Sequence, residues 1–240
     1  MYGFYYDPTY ILVLIGAILS IAASQMVNST YRKYAKVRAR GGMTGAEAAY
    51  RILHMSGITD VKIQHISGEL TDHYDPANKV LRLSDAVYDS RSVAAIGVAA
   101  HECGHALQHK EGYLPLKLRS TLVPAANLGS KLGLPIVILG LILGIGFPLP
   151  GGGYFSLAEI GIWIFSLAVL FQIVTLPVEF NASGRALKML GSYGIMGDDE
   201  VDDCKRVLGA AALTYVAAAA SSILQLLRLV ILSRGRRRDD

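Results

Sequence analysis

Apolar residues gather in four long runs along this chain, with polar stretches between them. The first covers 10–27 and reads I-L-V-L-I-G-A-I-L-S-I-A-A-S-Q-M-V from position 11. Such a run is long enough to cross a hydrocarbon core of about 30 Å as a helix. A second runs from Leu134 to Leu149 and a third from Leu157 to Val178. The short P-L-P-G-G-G-Y turn at 148–154 joins these two into an expected hairpin over 134–178. The fourth, an Ala-rich apolar helix over 207–232, carries Arg228, which either snorkels or pairs with an acid.

The polar and apolar pattern changes between the first and second runs, where residues 41–130 read as a soluble insertion. Thr44 and Glu47 form a capping-box signature for a helix that Gly57 closes. The runs V-K-I-Q-H-I, L-T-D-H-Y and K-V-L-R-L follow, separated by turn residues, and predict a small antiparallel sheet. Ser84 or Ser92 then caps a proline-free helix from Val93 to about His109.

Composition fits a membrane protein: 52% of residues are apolar and 18% charged. The net charge of +4 comes from basic clusters beside apolar runs, which favours anionic lipid and excludes nucleic acid as the partner. Arg32, Lys33, Lys36, Arg38 and Arg40 follow the first run, placing the insertion in the cytoplasm by the positive-inside rule. The flank before that run holds an Asp and no Lys or Arg, which argues against a cleaved signal peptide. Four spans are expected, although the basic tail S-R-G-R-R-R would then lie outside; a last helix that packs without crossing is the alternative. Tyr2, Tyr5, Tyr6 and Tyr10 suggest an interfacial belt. Cys103 and Cys204 suggest small buried residues and no disulfide framework.

The chemistry concentrates at A-A-H-E-C-G-H-A-L-Q-H, residues 99–109. His101 and His105 are four apart, so a helix puts both imidazoles on one face, about 6 Å apart along the axis. That spacing suits one zinc ion, and Glu102, offset by one position, suits a general base acting on a zinc-activated water. His109 lies eight residues beyond His101, about 12 Å along the helix, which is too far for Zn–N bonds of about 2.0–2.1 Å. It is expected at the helix end, lining the cleft. The third ligand is expected at Glu179, an isolated acid after the third run, where a carboxylate is costly unless paired or metal-bound. His73 and Tyr74 point into the cleft or belong to a surface hairpin; the pattern allows both. The sheet before the zinc helix is expected to offer an edge strand to an extended peptide.

The chain resembles the YugP-like neutral zinc metallopeptidases of bacterial membranes. The likeness rests on Y-D-P-T-Y-I-L at 6–12, M-T-G-A-E at 43–47, L-T-D-H-Y-D-P at 70–76 and V-L-R-L-S at 80–84. It continues through R-S-V-A-A-I at 91–96, the histidine motif, L-P-V-E-F-N-A-S at 176–183 and A-A-A-L-T-Y-V-A-A-A-A at 210–220. It implies a multi-pass zinc endopeptidase of the gluzincin type, holding one Zn2+. More distantly the chain is similar to HtpX-like and CAAX-processing membrane proteases, which take their third ligand from an E-x-x-A-D segment. Glu179-Phe180-Asn181-Ala182-Ser183 corresponds to it here. Ser183 replaces the aspartate that would orient a ligating histidine, and a serine is the weaker acceptor. Arg185 is the candidate for oxyanion stabilisation, or else pairs with an acid.

The expected fold is mainly α: a multi-pass membrane helical bundle with a zincin-like α+β metalloprotease insertion. Its last two parts are a third-ligand segment at 179–206 and the apolar helix at 207–232. The expected function is hydrolysis of membrane-associated or misfolded polypeptides at the cell membrane, with the active site facing the cytoplasm. A non-catalytic scaffold stapled by zinc is the rival reading, but such a site has no use for Glu102. A transporter is disfavoured because charges within the spans are few.

Overall fold

Helix α1 (Tyr10–Tyr34) continues about two turns past the apolar run and carries Arg32 and Lys33 in its last turn. The computed structural model describes residues 7–148 and 154–236. The tyrosines at 2, 5 and 6, the middle of the hairpin turn at 149–153 and the end of the basic tail lie outside the described residues. After α1 come α2 (Gly45–Met55), β1 (Lys62–Ile66), β2 (His73–Asp75), β3 (Val80–Ser84) and α3 (Val93–Lys110). Helix α4 (Leu114–Leu143), strands β4 (Gly146–Pro148) and β5 (Tyr154–Ser156), α5 (Leu157–Ser192) and α6 (Asp198–Arg236) complete the order.

The chain divides into two units. The first comprises Met1–Ala22, Leu118–Thr175 and Tyr215–Asp240, and the second Ala23–Lys117 and Leu176–Thr214. Among the described residues, α1, α4, α5 and α6 are long and apolar enough to cross a membrane. Their outward faces leave Ile11, Leu14, Ile18, Ile138, Ile142 and Trp163 exposed, a pattern that lipid rather than water satisfies. Within the first unit, α4 meets α5 through small residues. A Cβ on Gly140 would lie 2.2 Å from the Ala158 nitrogen, so only glycine permits that approach. Arg228 of α6 pairs with an acid: its Nη2 donates to Asp7 Oδ2 at 2.9 Å, and its guanidinium lies 4.1 Å from the Tyr10 ring centroid. These contacts offset the cost of an arginine in an apolar helix.

Two boundaries and one small element differ from the sequence-based expectation. The segment expected to stay soluble to 130 is already helical from Leu114, in α4. Pro124 and Pro135 lie inside this helix; each forgoes only one backbone bond and the helix continues. Helix α5 runs past 178 to Ser192, so Glu179 stands on the same helix as the third apolar run rather than on a segment after it. The short β4–β5 ladder beside the hairpin turn was not expected from so few residues.

The second unit carries the sheet and α3. The sheet is mixed rather than antiparallel: its order is β1-β3-β2, with β1 parallel to β3 and β2 antiparallel to it. Period-two alternation identifies strands but not their order. The most buried strand, V-L-R-L-S, takes the centre, which leaves β2 at an edge. Leu81 and Leu83 from β3, Ile52 from α2 and Ile96 from α3 are among the largest buried side chains of this core. The expected capping box is present, with Glu47 N donating to Thr44 Oγ1 at 3.1 Å and Thr44 N to Glu47 Oε2 at 2.7 Å. Ser92, not Ser84, caps α3 by accepting from Ala95 N. Gly97 and Gly104 of α3 let Cys204 and Ala182 approach it closely.

Candidate metal centre

Helix α3 sets His101 and His105 one turn apart, their rings edge-to-face with centroids 4.8 Å apart. Glu179 of α5 meets them: its Oε2 lies 3.3 Å from His101 Nε2 and 3.6 Å from His105 Nε2. One ligand atom from each residue falls within 4.8 Å of the others. The Glu179 side chain is 3% exposed, so its charge must be met locally.

The approach of α3 to α5 depends on Gly104. A Cβ there would stand 2.5 Å from the Ala182 carbonyl oxygen. Gly104→Ala should force the helices apart, costing about 1–3 kcal/mol by overpacking. A thermal melt reads that loss, and zinc affinity should fall with it as Glu179 withdraws from the histidines.

The donor set suits zinc. Two imidazoles and one carboxylate are standard ligands, and bonds of about 2.0–2.1 Å in a tetrahedron separate ligand atoms by about 3.3 Å. The nitrogen–oxygen separations of 3.3 and 3.6 Å lie near that spacing. The outer nitrogens are engaged elsewhere: His101 Nδ1 lies 3.1 Å from Ser183 Oγ, and His105 Nδ1 lies 3.0 Å from Gln108 Oε1. Each ring therefore turns its Nε2 inward. Burial works against a charge on His105. The Glu179 and Glu102 carboxylates and the Gln108 oxygen outweigh it and hold its pKa above the ordinary value.

Glu102 is buried beside this cluster and stands outside the three-residue group. Its Oε2 accepts from the Tyr74 backbone N–H at 2.9 Å, so the edge strand β2 holds the carboxylate in place. The Tyr74 phenol lies 2.9 Å from His109 Nδ1, and burial pushes its pKa up to about 12, so it stays protonated. His109 is exposed near the end of α3 and is not among the three grouped residues. His73 is exposed too, its ring 2.8 Å from Thr71 O and 3.2 Å from Arg82 Nη1. Arg185 forms an ion pair with Glu111 at 2.7 Å and donates from Nε to Asn181 Oδ1, the acid-pairing alternative for this residue. Burial raises the Cys103 thiol well above its usual range, so it offers no thiolate.

Two polar residues at the site were not singled out from the sequence, Gln108 and Asn181. Gln108 is fully buried, and its Nε2 donates to Val178 O at 2.8 Å and Asn181 Oδ1 at 2.9 Å. Its spacing of three from His105, on the same helix face, was the available signal.

A family described as "Putative neutral zinc metallopeptidase" matches residues 9–234 of the chain. The chain is 46% identical over 232 residues, 96% of its own length and 99% of the relative's, to "Putative membrane protease YugP" of Bacillus subtilis (strain 168). No solved structure matches it significantly.

Proposed function

The chain belongs to the neutral zinc metallopeptidase family, and from that premise we propose that it is a membrane-embedded endopeptidase in which His101, His105 and Glu179 hold one zinc and Glu102 is the general base. The observation that carries this reading is the convergence of three ligand atoms with a second carboxylate, that of Glu102, beside them. A gluzincin-type site needs that division: three protein ligands, one open position and a base. A scaffold stapled by zinc gains nothing from a buried glutamate held by a strand N–H.

Zinc supplies Lewis acidity, lowering the pKa of a water towards about 7 and polarising a carbonyl. The residues do the rest. Glu102 takes a proton from the attacking water and delivers it to the leaving amine nitrogen. The Tyr74 N–H keeps the carboxylate oriented through both transfers. Strand β2 lies at the sheet edge, and an extended polypeptide pairing there passes beside the base. Ser183 supports His101 by its hydroxyl. Arg185, tied to Glu111 and Asn181, is assigned a positional part rather than an oxyanion one.

Membrane-associated or misfolded polypeptides are the proposed substrates. Glu179 shares a helix with an apolar run long enough to cross a membrane. The basic residues 32–40 and the metal cluster belong to the same unit, which by the positive-inside rule supports a site on the cytoplasmic face. In lipid nanodiscs, the chain with one equivalent of zinc should cleave an unfolded or membrane-associated test polypeptide. A chelator should stop cleavage and added zinc restore it. Stoichiometric zinc without cleavage of any such polypeptide would favour the scaffold instead.

A further inference from the structure

We propose that Gln108 is a positioning residue that fixes which nitrogen of His105 is presented to the metal. The inference rests on the ligand assignment above. Gln108 is fully buried, and a buried amide is costly unless its polar atoms are satisfied. Here both amide protons and the amide oxygen have partners, and those partners dictate its orientation.

Val178 O only accepts, so the Gln108 atom 2.8 Å from it must be the NH2 group. The second proton of that group goes to Asn181 Oδ1. The orientation of Asn181 is set independently, because Arg185 Nε can only donate and lies 2.7 Å from the same Oδ1. Arg185 is anchored in turn by Glu111, just beyond α3. Donor and acceptor roles are thus fixed from Glu111 through Arg185 and Asn181 to Gln108. The remaining Gln108 atom, Oε1, must face His105 Nδ1 at 3.0 Å. An oxygen there requires a proton on Nδ1, which leaves the lone pair on Nε2, the nitrogen turned towards Glu179.

The network differs from a simple latch between α3 and α5 in what it demands of position 108. A latch needs the NH2 group bonding to Val178 and Asn181. The positioning role needs the oxygen facing His105. Gln108→Met removes both, and Gln108→Glu keeps only the acceptor. With zinc chloride as the probe and a chromophoric chelator as competitor, Gln108→Met should weaken zinc binding about 10–100-fold, the range for residues that orient ligands. Gln108→Glu should restore it to within a few-fold of the original chain. Nitrogen-15 spectra of histidine in the zinc-loaded chain should show His105 protonated at Nδ1 and coordinated through Nε2.

Coordination through Nδ1 would overturn the proposal, as would equal zinc affinity in the original and Gln108→Met chains. Equal impairment by Met and Glu would assign Gln108 to the latch alone. If Gln108→Met does not fold, the spectra of the original chain decide. Failure of the original chain to bind zinc at all would instead sink the ligand assignment, a distinct outcome.

Discussion

Glu102→Gln should lower peptide hydrolysis by about 10²–10⁴-fold, the contribution of a positioned general base, while bound zinc stays at one equivalent. The substitution is nearly isosteric, and the glutamine oxygen still accepts from the Tyr74 N–H at the position Glu102 Oε2 holds. Fold and substrate pairing along β2 should therefore survive, and the loss should appear in kcat rather than KM. An inactive chain that retains substrate can then capture its polypeptide substrates in cells, and fragments identified with it would name their class. Full activity in Glu102→Gln would remove the proposed base.

Glu179→Ala should have the second large effect, on zinc itself. It deletes one of three ligands and leaves two imidazoles whose Nε2 atoms have lost their shared carboxylate. Removing a residue that merely orients a ligand costs about 10–100-fold in affinity, so removing a ligand should exceed that range. Competition with a chelator measures it. Unchanged affinity would show that another group completes the site. Stability of the zinc-free chain should fall as well, because the substitution leaves two buried imidazoles without the carboxylate they pair with.

Both expectations concern residues that were legible in the sequence, and the reason is spacing. H-E-x-x-H on a helix fixes two imidazoles and an offset carboxylate from covalent geometry alone, and α3 forms over that stretch. Glu179 was legible because an isolated acid near an apolar run calls for a partner, and the structure sets it between the two histidines. The four apolar helices were equally plain. Less legible was where those helices end. Residues 114–130 and 179–192 are too polar to read as membrane segments, yet they continue α4 and α5 as helix. The order of β1, β2 and β3 was also hidden, because alternation carries no information on pairing direction. Gln108 was missed because its role depends on Val178 and Asn181, some seventy residues away in sequence.

Zinc K-edge X-ray absorption of the metal-loaded chain tests the central claim most directly. The predicted first shell holds only nitrogen and oxygen at about 2.0–2.1 Å, with outer scattering from two imidazoles, and Glu179→Ala should lose one light-atom ligand. A sulfur shell at about 2.3 Å, or scattering from three imidazoles, would place Cys103 or His109 on the metal and contradict the site drawn from His101, His105 and Glu179.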